Sequence, residues 1–283
     1  MKNISLISIV LFLLTSCFAA KDSVQIDTKP STETLELPTA NEGNNPPPIL
    51  PKFINHPRPN IQVDLTDFLK TSGCQLKGSS DIEGCEGLRA KMGCDKFMQP
   101  DALWGAVTPT YPMVLCLVLP DARQYPKSEA DAKALVLELI KDIEKEGYFT
   151  RSKGMFRHYT RYVILRDGQF QLVKNIDELQ KIFAPIESTK EALSYALMAT
   201  QFAAHYGQKI VPNYRYYTTT IEDTNVVVTE KGYDVLLYTY KKFGCGSHPT
   251  STNLITVGVD GMISYPSQQL AYANPKEDNL CVD

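Results

Sequence analysis

The chain has 283 residues, of which 43% are hydrophobic and 22% are charged, and its formal net charge is −3. This composition is typical of a globular protein with one large domain or two smaller ones, and it excludes a chain that is disordered throughout. The 29 basic and 32 acidic side chains include no dense basic cluster, so nucleic acid is not expected as a partner.

The first 17 residues have the pattern of an export signal. Lys2 precedes an apolar stretch that ends at Leu14, and this stretch is shorter than the about 20 residues that span a bilayer as a helix. The sequence Leu14-Thr15-Ser16-Cys17 resembles the lipobox of bacterial lipoprotein precursors. The resemblance implies that residues 1–16 are a signal peptide, that Cys17 is lipidated, and that this lipid anchors the protein in the bacterial cell envelope.

Two alternatives to the lipobox stay open at this point. Cleavage after Ala19 or Ala20 would give a soluble secreted protein, and a match of four residues can arise by chance. Phe18 follows Cys17, whereas an aspartate at this position often retains members of the resembling family in the inner membrane. The outer membrane is therefore favoured.

Residues 18–60 differ in composition from the rest of the chain, because they hold eight of the 18 prolines and only two aromatic residues, Phe18 and Phe53. Such a segment has too few apolar side chains to offset the entropy lost on ordering. We therefore expect residues 17–60 to form a lipidated N-terminus and a disordered, partly polyproline tether. A flexible coil of about 40 residues spans roughly 35 Å, so the globular part, residues 61–283, could stand off the membrane.

Six cysteines remain if Cys17 carries lipid, and an even number in an exported chain predicts disulfides. Their spacing favours local bridges within residues 74–94 and a separate bridge between Cys245 and Cys281. Cys116 lies in an apolar run, residues 114–118, where a free buried thiol would also fit. The disulfide candidates are Cys74, Cys85, Cys94, Cys116, Cys245 and Cys281.

Helix signals recur along residues 61–206. Ser128 can cap an amphipathic helix that runs to Glu146, and Gly147 would end it. Asn175 can start a second helix, which Pro185 would break. Ser188 and Glu191 form a capping box before a long apolar helix. The predicted helices span residues 64–70, 86–92, 128–146, 175–183 and 188–206.

Strand signals surround these helices. The dipeptide Asp167-Gly168 suits a tight hairpin turn between two apolar runs, and Lys231-Gly232 and Asp260-Gly261 mark later turns. The predicted strands span residues 111–119, 159–165, 170–173, 214–221, 225–229, 233–241, 253–259 and 262–265.

This order of elements predicts an α+β fold in which helices pack on antiparallel sheets and a long helix precedes a β-meander. The globular part could be one domain or two subdomains, residues 61–187 and 188–283. A cystatin-like or NTF2-like layer is compatible with this order, but no motif supports either family.

Few residues indicate catalysis. Cys245 and His248 lie in a glycine-rich loop and could form a thiolate nucleophile, but an exported cysteine is more often half of a disulfide. The four histidines show no metal-binding spacing, and phosphate-binding and dinucleotide motifs are missing, so neither a metal nor a cofactor is expected.

Tyrosines are concentrated in the predicted C-terminal strands, where alternate residues share a face. They could stack on a glycan or a peptide, or simply cover the sheet, and Trp104 is expected to be a core anchor. The leading hypothesis is a lipid-anchored, non-catalytic binding or scaffolding module whose partner is an envelope protein, a peptide or a glycan. The alternative is a thiol enzyme that uses Cys245 and His248. The tyrosines are Tyr214, Tyr216, Tyr217, Tyr233, Tyr238 and Tyr240.

Overall fold

The computed structural model describes residues 50–58, 64–100, 111–120, 129–151 and 158–282. All of them belong to one unit of the chain, Pro46–Asp283. The predicted signal peptide, Cys17, residues 18–49 of the tether and Trp104 lie outside the described residues. No helix in the described ranges is long and apolar enough to cross a membrane.

Five helices occur in the described residues, and local signals account for most of their ends. The Asn175 side chain accepts a hydrogen bond from the Glu178 amide (3.0 Å), and the Ser188 hydroxyl accepts one from the Glu191 amide (3.2 Å), so both predicted N-caps are confirmed. The helices are α1 (Thr66–Ser72), α2 (Glu86–Met92), α3 (Glu129–Glu146), α4 (Ile176–Phe183) and α5 (Thr189–Thr200).

Two larger sheets, both antiparallel, contain most of the strands. The first sheet has the order β2-β3-β4-β5-β7-β6, and β8 also pairs with β7. Its strands are β2 (Gln75–Lys77), β3 (Asp81–Glu83), β4 (Lys96–Met98), β5 (Met113–Val118), β6 (Thr150–Arg151), β7 (Tyr159–Arg166) and β8 (Gln169–Val173).

The second sheet has the order β11-β12-β14-β15-β9. Its strands are β9 (Arg215–Tyr216), β11 (Val226–Thr229), β12 (Gly232–Tyr240), β14 (Thr250–Gly258) and β15 (Ile263–Ala273). Two small pairs complete the fold: β1 (Lys52–Ile54) lies parallel to β10 (Thr220–Glu222), and β13 (Gly244–Cys245) lies antiparallel to β16 (Cys281–Val282). The predicted α+β class is therefore confirmed.

Helix α5 lies between the two large sheets. Every residue from Ala192 to Thr200 is buried, which is expected of a helix that is apolar all round. One face of the first sheet and the inner face of the second pack on it in a single apolar cluster that includes Leu115, Ile164, Val235, Leu237 and Ile255. The opposite face of the first sheet forms a second cluster with α1, α2 and α3, which includes Phe68, Met92, Val114, Ile140 and Val163.

Two buried tyrosines tie α5 to both sheets. The Tyr162 hydroxyl donates to the carbonyl of Met198 (2.9 Å), and the Tyr195 hydroxyl donates to the carbonyl of Gly261 (2.7 Å). Burial raises the pKa of both tyrosines well above the ordinary value, so both hydroxyls stay protonated donors at neutral pH. Each bond satisfies a polar group inside the apolar core.

Helix α5 ends earlier than predicted. Gln201 adopts a left-handed conformation (φ 56°), and its side chain bonds to Thr150 and to Tyr162 on the first sheet. Ala203 then pairs with Tyr238 as an isolated bridge on the second sheet. The sequence pattern predicts a helix to residue 206, but contacts with both sheets end the helix at Thr200.

The end of the predicted tether is ordered by contacts with the C-terminal half. Lys52–Ile54 pair with Thr220–Glu222, so the predicted strand over residues 214–221 is divided between β9 and β10. The last strand of the second sheet is longer than predicted and continues to Ala273. Strands β2, β3 and β4 were missed because each has only three residues and no clear alternation.

Three disulfides join Cys74 to Cys85, Cys94 to Cys116, and Cys245 to Cys281. The bridge between Cys245 and Cys281 is as predicted. Cys116 is bonded, so the alternative of a free buried thiol at this position is wrong. A free thiol would suit the apolar strand β5, which is why the sequence left this alternative open. The partner, Cys94, follows α2, and only the folded structure brings it close to Cys116.

Replacement of Gly232 by alanine is expected to destabilise the protein much more than replacement of Gly168. Both glycines have positive φ, 133° and 73° respectively, so either alanine would be strained by about 1 kcal/mol. A Cβ at Gly168 would meet nothing within 4 Å, whereas one at Gly232 would overlap the carbonyl oxygen of Val257. Overpacking should add about 2 kcal/mol at Gly232.

Urea unfolding of Gly232→Ala and of the matched control Gly168→Ala measures the difference. Equal losses in the free energy of unfolding would contradict the close approach of β12 and β14 at this register.

Candidate functional site

The loop that contains Cys245 and His248 is closed by bonds to the C-terminal segment. The sulfur of Cys245 is joined to Cys281, and the His248 ring is buried, with Nδ1 2.8 Å from the Lys241 carbonyl and Nε2 3.2 Å from the Leu280 carbonyl. A disulfide sulfur is not a thiolate, and both ring nitrogens face backbone oxygens. This geometry holds the C-terminus in place and does not support the thiol-enzyme alternative.

The predicted tyrosines do not all lie together. Tyr233 and Tyr238 are buried in the body of the protein, and Tyr240 is exposed beside Glu277. Tyr214 and Tyr216, in contrast, share a surface groove with two aromatic residues that the sequence did not single out, Phe53 and Tyr272.

We define the aromatic groove by the side chains that line it. Its rings form a continuous series: Phe53 lies 6.2 Å from Tyr216, Tyr216 lies 6.3 Å from Tyr272, and Tyr272 lies 5.8 Å from Tyr214. All four rings are half-buried, so each still presents part of its surface. The lining residues are Phe53, Gly207, Gln208, Lys209, Val211, Tyr214, Tyr216 and Tyr272.

A second depression adjoins the aromatic groove, and we call it the side pocket. It shares Gln208 and Tyr272 with the groove, so the two form one continuous site. Its lining residues are Arg58, Ala204, His205, Tyr206, Gln208 and Tyr272.

The side chain of Gln208 is fixed where the two depressions meet. Its Nε2 donates to the Tyr238 hydroxyl (2.8 Å), and its Oε1 lies 3.4 Å from the Tyr272 hydroxyl. Tyr238 is itself buried under the ring of His205, which stacks on it at 4.5 Å with an angle of 4° between the rings. A ligand would therefore meet a preformed floor.

Asp223 organises the segments that build this floor. It is 0% exposed, and its carboxylate accepts hydrogen bonds from the amides of Gly207 (2.8 Å), Gln208 (3.1 Å) and His56 (3.2 Å). The side-chain amide of Asn55 donates a fourth bond (3.1 Å). One carboxylate thus joins the segment after β1 to the loop that carries Gln208.

The hydrogen bonds to Asp223 also set its charge. Burial alone would raise the pKa of this carboxyl, but the bonds from Gln208, Gly207, Asn55 and His56 outweigh burial and hold the pKa below 3.8. Burial lowers the pKa of the neighbouring His205, and the charge of Asp223 only partly offsets this effect. The site therefore contains a buried anion beside an imidazole that favours its neutral form.

The charged side chains that line the groove and the side pocket are both basic. Lys209 is exposed and forms no ion pair with any described residue, and Arg58 lines the side pocket. A further pocket beside Pro185, in contrast, is lined by both Arg166 and acidic side chains. Two lining cations thus share the site with the buried carboxylate of Asp223.

Sequence reasoning missed four important residues of this site, Phe53, Tyr272, Gln208 and Asp223. Phe53 carried a weak signal, since it is the only aromatic residue in the proline-rich segment after Phe18. Gln208 and Asp223 lie in irregular loops, where no periodic pattern distinguishes a buried polar residue from an exposed one.

Metal binding finds no support in the described ranges, where no three side chains of His, Cys, Asp or Glu converge. No protein-family model matches the sequence, and comparisons with curated proteins and with solved structures gave no match either.

Proposed function

We propose that this protein is a lipid-anchored, non-catalytic binding module of the bacterial cell envelope. The observation that carries the proposal is the aromatic groove, a preformed site whose rings and polar floor are suited to recognition. Pockets that are largely aromatic with a few fixed polar groups are typical of ligand sites.

The proposed location has separate support. The sequence Leu14-Thr15-Ser16-Cys17 resembles a lipobox, and the three disulfides suit a compartment outside the reducing cytoplasm. Lipid on Cys17 would provide the membrane attachment, with the outer membrane favoured. Several acyl chains would give stable attachment, since one chain alone binds only marginally. The proline-rich segment before Leu50 would serve as the tether.

Acylation of Cys17 is the direct test of the anchor. In a bacterial host fed an alkyne-tagged fatty acid, the wild-type chain is expected to incorporate label, to begin at Cys17, and to sediment with membranes. The control Cys17→Ser should lose both the label and the sedimentation while keeping the same thermal melt. An unlabelled chain that begins at Ala20 or Lys21 would instead indicate a soluble secreted protein.

The non-catalytic part of the proposal is tested by the state of Cys245. Non-reducing peptide mapping is expected to recover a linked peptide that contains Cys245 and Cys281, with no alkylation of either sulfur. An alkylatable Cys245 in the purified protein would revive the thiol-enzyme alternative. A cystatin-like or NTF2-like layer stays a prediction for the second sheet and α5, and the proposed function does not depend on it.

A further inference from the structure

We infer that the outer edge of strand β11 is a docking surface for a second copy of this chain. The two copies of β11 would pair antiparallel across a two-fold axis. This inference goes beyond the proposed function, because neither the aromatic groove nor the lipid anchor takes part in the contact.

The backbone of β11 is open on one side. The strand is the first in the order of the second sheet, and β12 is its neighbour there. The amide of Leu236 on β12 donates to the carbonyl of Asn225, so Asn225 faces β12, and by alternation Val226 and Val228 turn their N–H and C=O groups outward. These outward groups form no hydrogen bond with a described residue. Such an edge is a template for a further strand.

The side chains of this edge are apolar and two of them are exposed. Val227 is 56% exposed and Val228 is 66% exposed, and the two point to opposite faces of the sheet. Val226 lies on the same face as Val228 and packs against the apolar cluster around α5. A second β11 would continue this face and cover Val228, while the two copies of Val227 would lie together on the other face. Cross-strand pairs of β-branched side chains stabilise antiparallel sheets.

The distribution of charge suits pairing with an identical strand. A two-fold axis places a residue opposite its own copy, so a charge near the axis would face the same charge. Residues 224–229 carry no charge, although 22% of the chain is charged. On the other side of the sheet, in contrast, β9 carries Arg215, and the part of β15 beyond β9 carries Pro266. Charged side chains and proline are typical protections of a strand edge, and β11 has neither.

The contact is small, so the pairing should be weak and reversible. A strand of four residues buries far less area than the about 800 Å² that each partner contributes to a standard interface. We therefore expect a dimer with a Kd of about 10 to 100 µM. The pairing would join the second sheets of the two copies into one continuous sheet.

Sedimentation equilibrium of the full chain tests this inference. The chain is measured from about 1 to 200 µM, in density-matched detergent with micelles in excess, so that lipid does not bring two copies together. We expect a monomer–dimer equilibrium. Amide hydrogen exchange at the two ends of this range locates the contact, since exchange at Val226 and Val228 should be slower in the dimer than in the monomer.

Charged variants test the two-fold arrangement. Val228→Lys and Val228→Glu should each weaken the dimer at least tenfold, because an axis at Val227 or at Val228 places the two copies of residue 228 within about 8 Å of each other. An equimolar mixture of the two variants should dimerise at least as well as the wild type. The matched control is Gln268→Lys, at an exposed position of β15, which should leave the Kd unchanged. Thermal melts check folding, and Val228→Glu keeps the test decisive if Val228→Lys is unstable.

Three results would overturn the inference. The first is a chain that is monomeric up to about 200 µM, whether its edge stays open or is filled by a peptide from another protein. The second is a dimer that Gln268→Lys disrupts or that Val228→Lys leaves intact. The third is a mixture of Val228→Lys and Val228→Glu that stays monomeric. Because these measurements need neither a ligand nor acyl label, they can fail while the proposed function stands, and the proposed function can fail without them.

Discussion

Substitution of Asp223 by alanine is expected to destabilise the protein by about 3 kcal/mol and to abolish ligand binding in the aromatic groove. The change removes a buried acceptor and leaves the amides of Gly207, Gln208 and His56 without this partner, and Asn55 keeps only its bond to the Gln208 carbonyl. Each buried, unsatisfied donor costs about 1 to 3 kcal/mol, and some of the three amides will regain water when the loop relaxes. The loosened segments carry two parts of the site, Gln208 and the strand with Phe53.

The control for this substitution is Asp142→Ala, on an exposed face of α3. A surface change of this kind should stay within about 0.5 kcal/mol. Urea unfolding measures both variants. A loss at Asp223 as small as the loss at Asp142 would show that the carboxylate does not hold the two segments together.

The pKa of Asp223 predicts how stability depends on pH. Its folded-state pKa lies below the unfolded value of 3.8, so between these two values the unfolded chain binds more protons than the folded chain. The contribution of Asp223 is therefore fully present above 3.8 and is lost as the pH falls through the folded pKa. In Asp223→Asn this acid-dependent loss should disappear from unfolding curves measured between about pH 6 and pH 2.

His205 contributes in a separate range of pH. Burial lowers its pKa below the ordinary value of 6.5, so the unfolded chain takes up the proton first and stability begins to fall as the pH drops through 6.5. The loss that starts near 6.5 should survive in Asp223→Asn, which allows the two groups to be distinguished.

Local signals predicted the helices well, because caps and periodicity are properties of neighbouring residues. Helix α2 was predicted over the same residues that it occupies, and α4 begins directly after its predicted cap, Asn175. The end of α5 was not predictable, since Ala203 leaves the helical path to pair with Tyr238, which is distant in sequence. Where tertiary pairing competes with a local pattern, the pattern alone gives the wrong boundary.

The aromatic groove shows that local sequence patterns are also a limited guide to the functional site. Tyr214 and Tyr216 were singled out by their alternation, but a strand has two neighbours and two faces, and sequence does not show what lies beside it. Phe53 reaches the groove only because β1 lies parallel to β10, a pairing between segments far apart in the chain. Gln208 and Asp223 are made important by the contacts that converge on them, and those contacts exist only in the folded state.

Removal of the Cys94–Cys116 disulfide by Cys94→Ala with Cys116→Ala is expected to cost about 4.5 to 5.5 kcal/mol. The bridge closes a loop with a sequence separation of 22, and Cys245–Cys281 closes one of 36. Loss of chain entropy alone predicts about 3.4 kcal/mol for the first and about 3.8 kcal/mol for the second. If entropy were the whole effect, the C-terminal bridge would therefore be slightly more stabilising.

Burial reverses this order. Cys94 and Cys116 are packed in the apolar cluster beneath the first sheet, where Cys116 is 0% exposed, whereas Cys245 and its partner Cys281 are both exposed. Truncation to alanine in the cluster leaves a cavity, which adds about 1 to 2 kcal/mol, and no such cavity forms at Cys245. Urea unfolding of the two double variants compares the contribution of chain entropy with the contribution of packing to the free energy of unfolding. A larger loss for Cys245→Ala with Cys281→Ala would mean that chain entropy outweighs packing, and the first sheet would then depend less on its buried bridge than the structure implies.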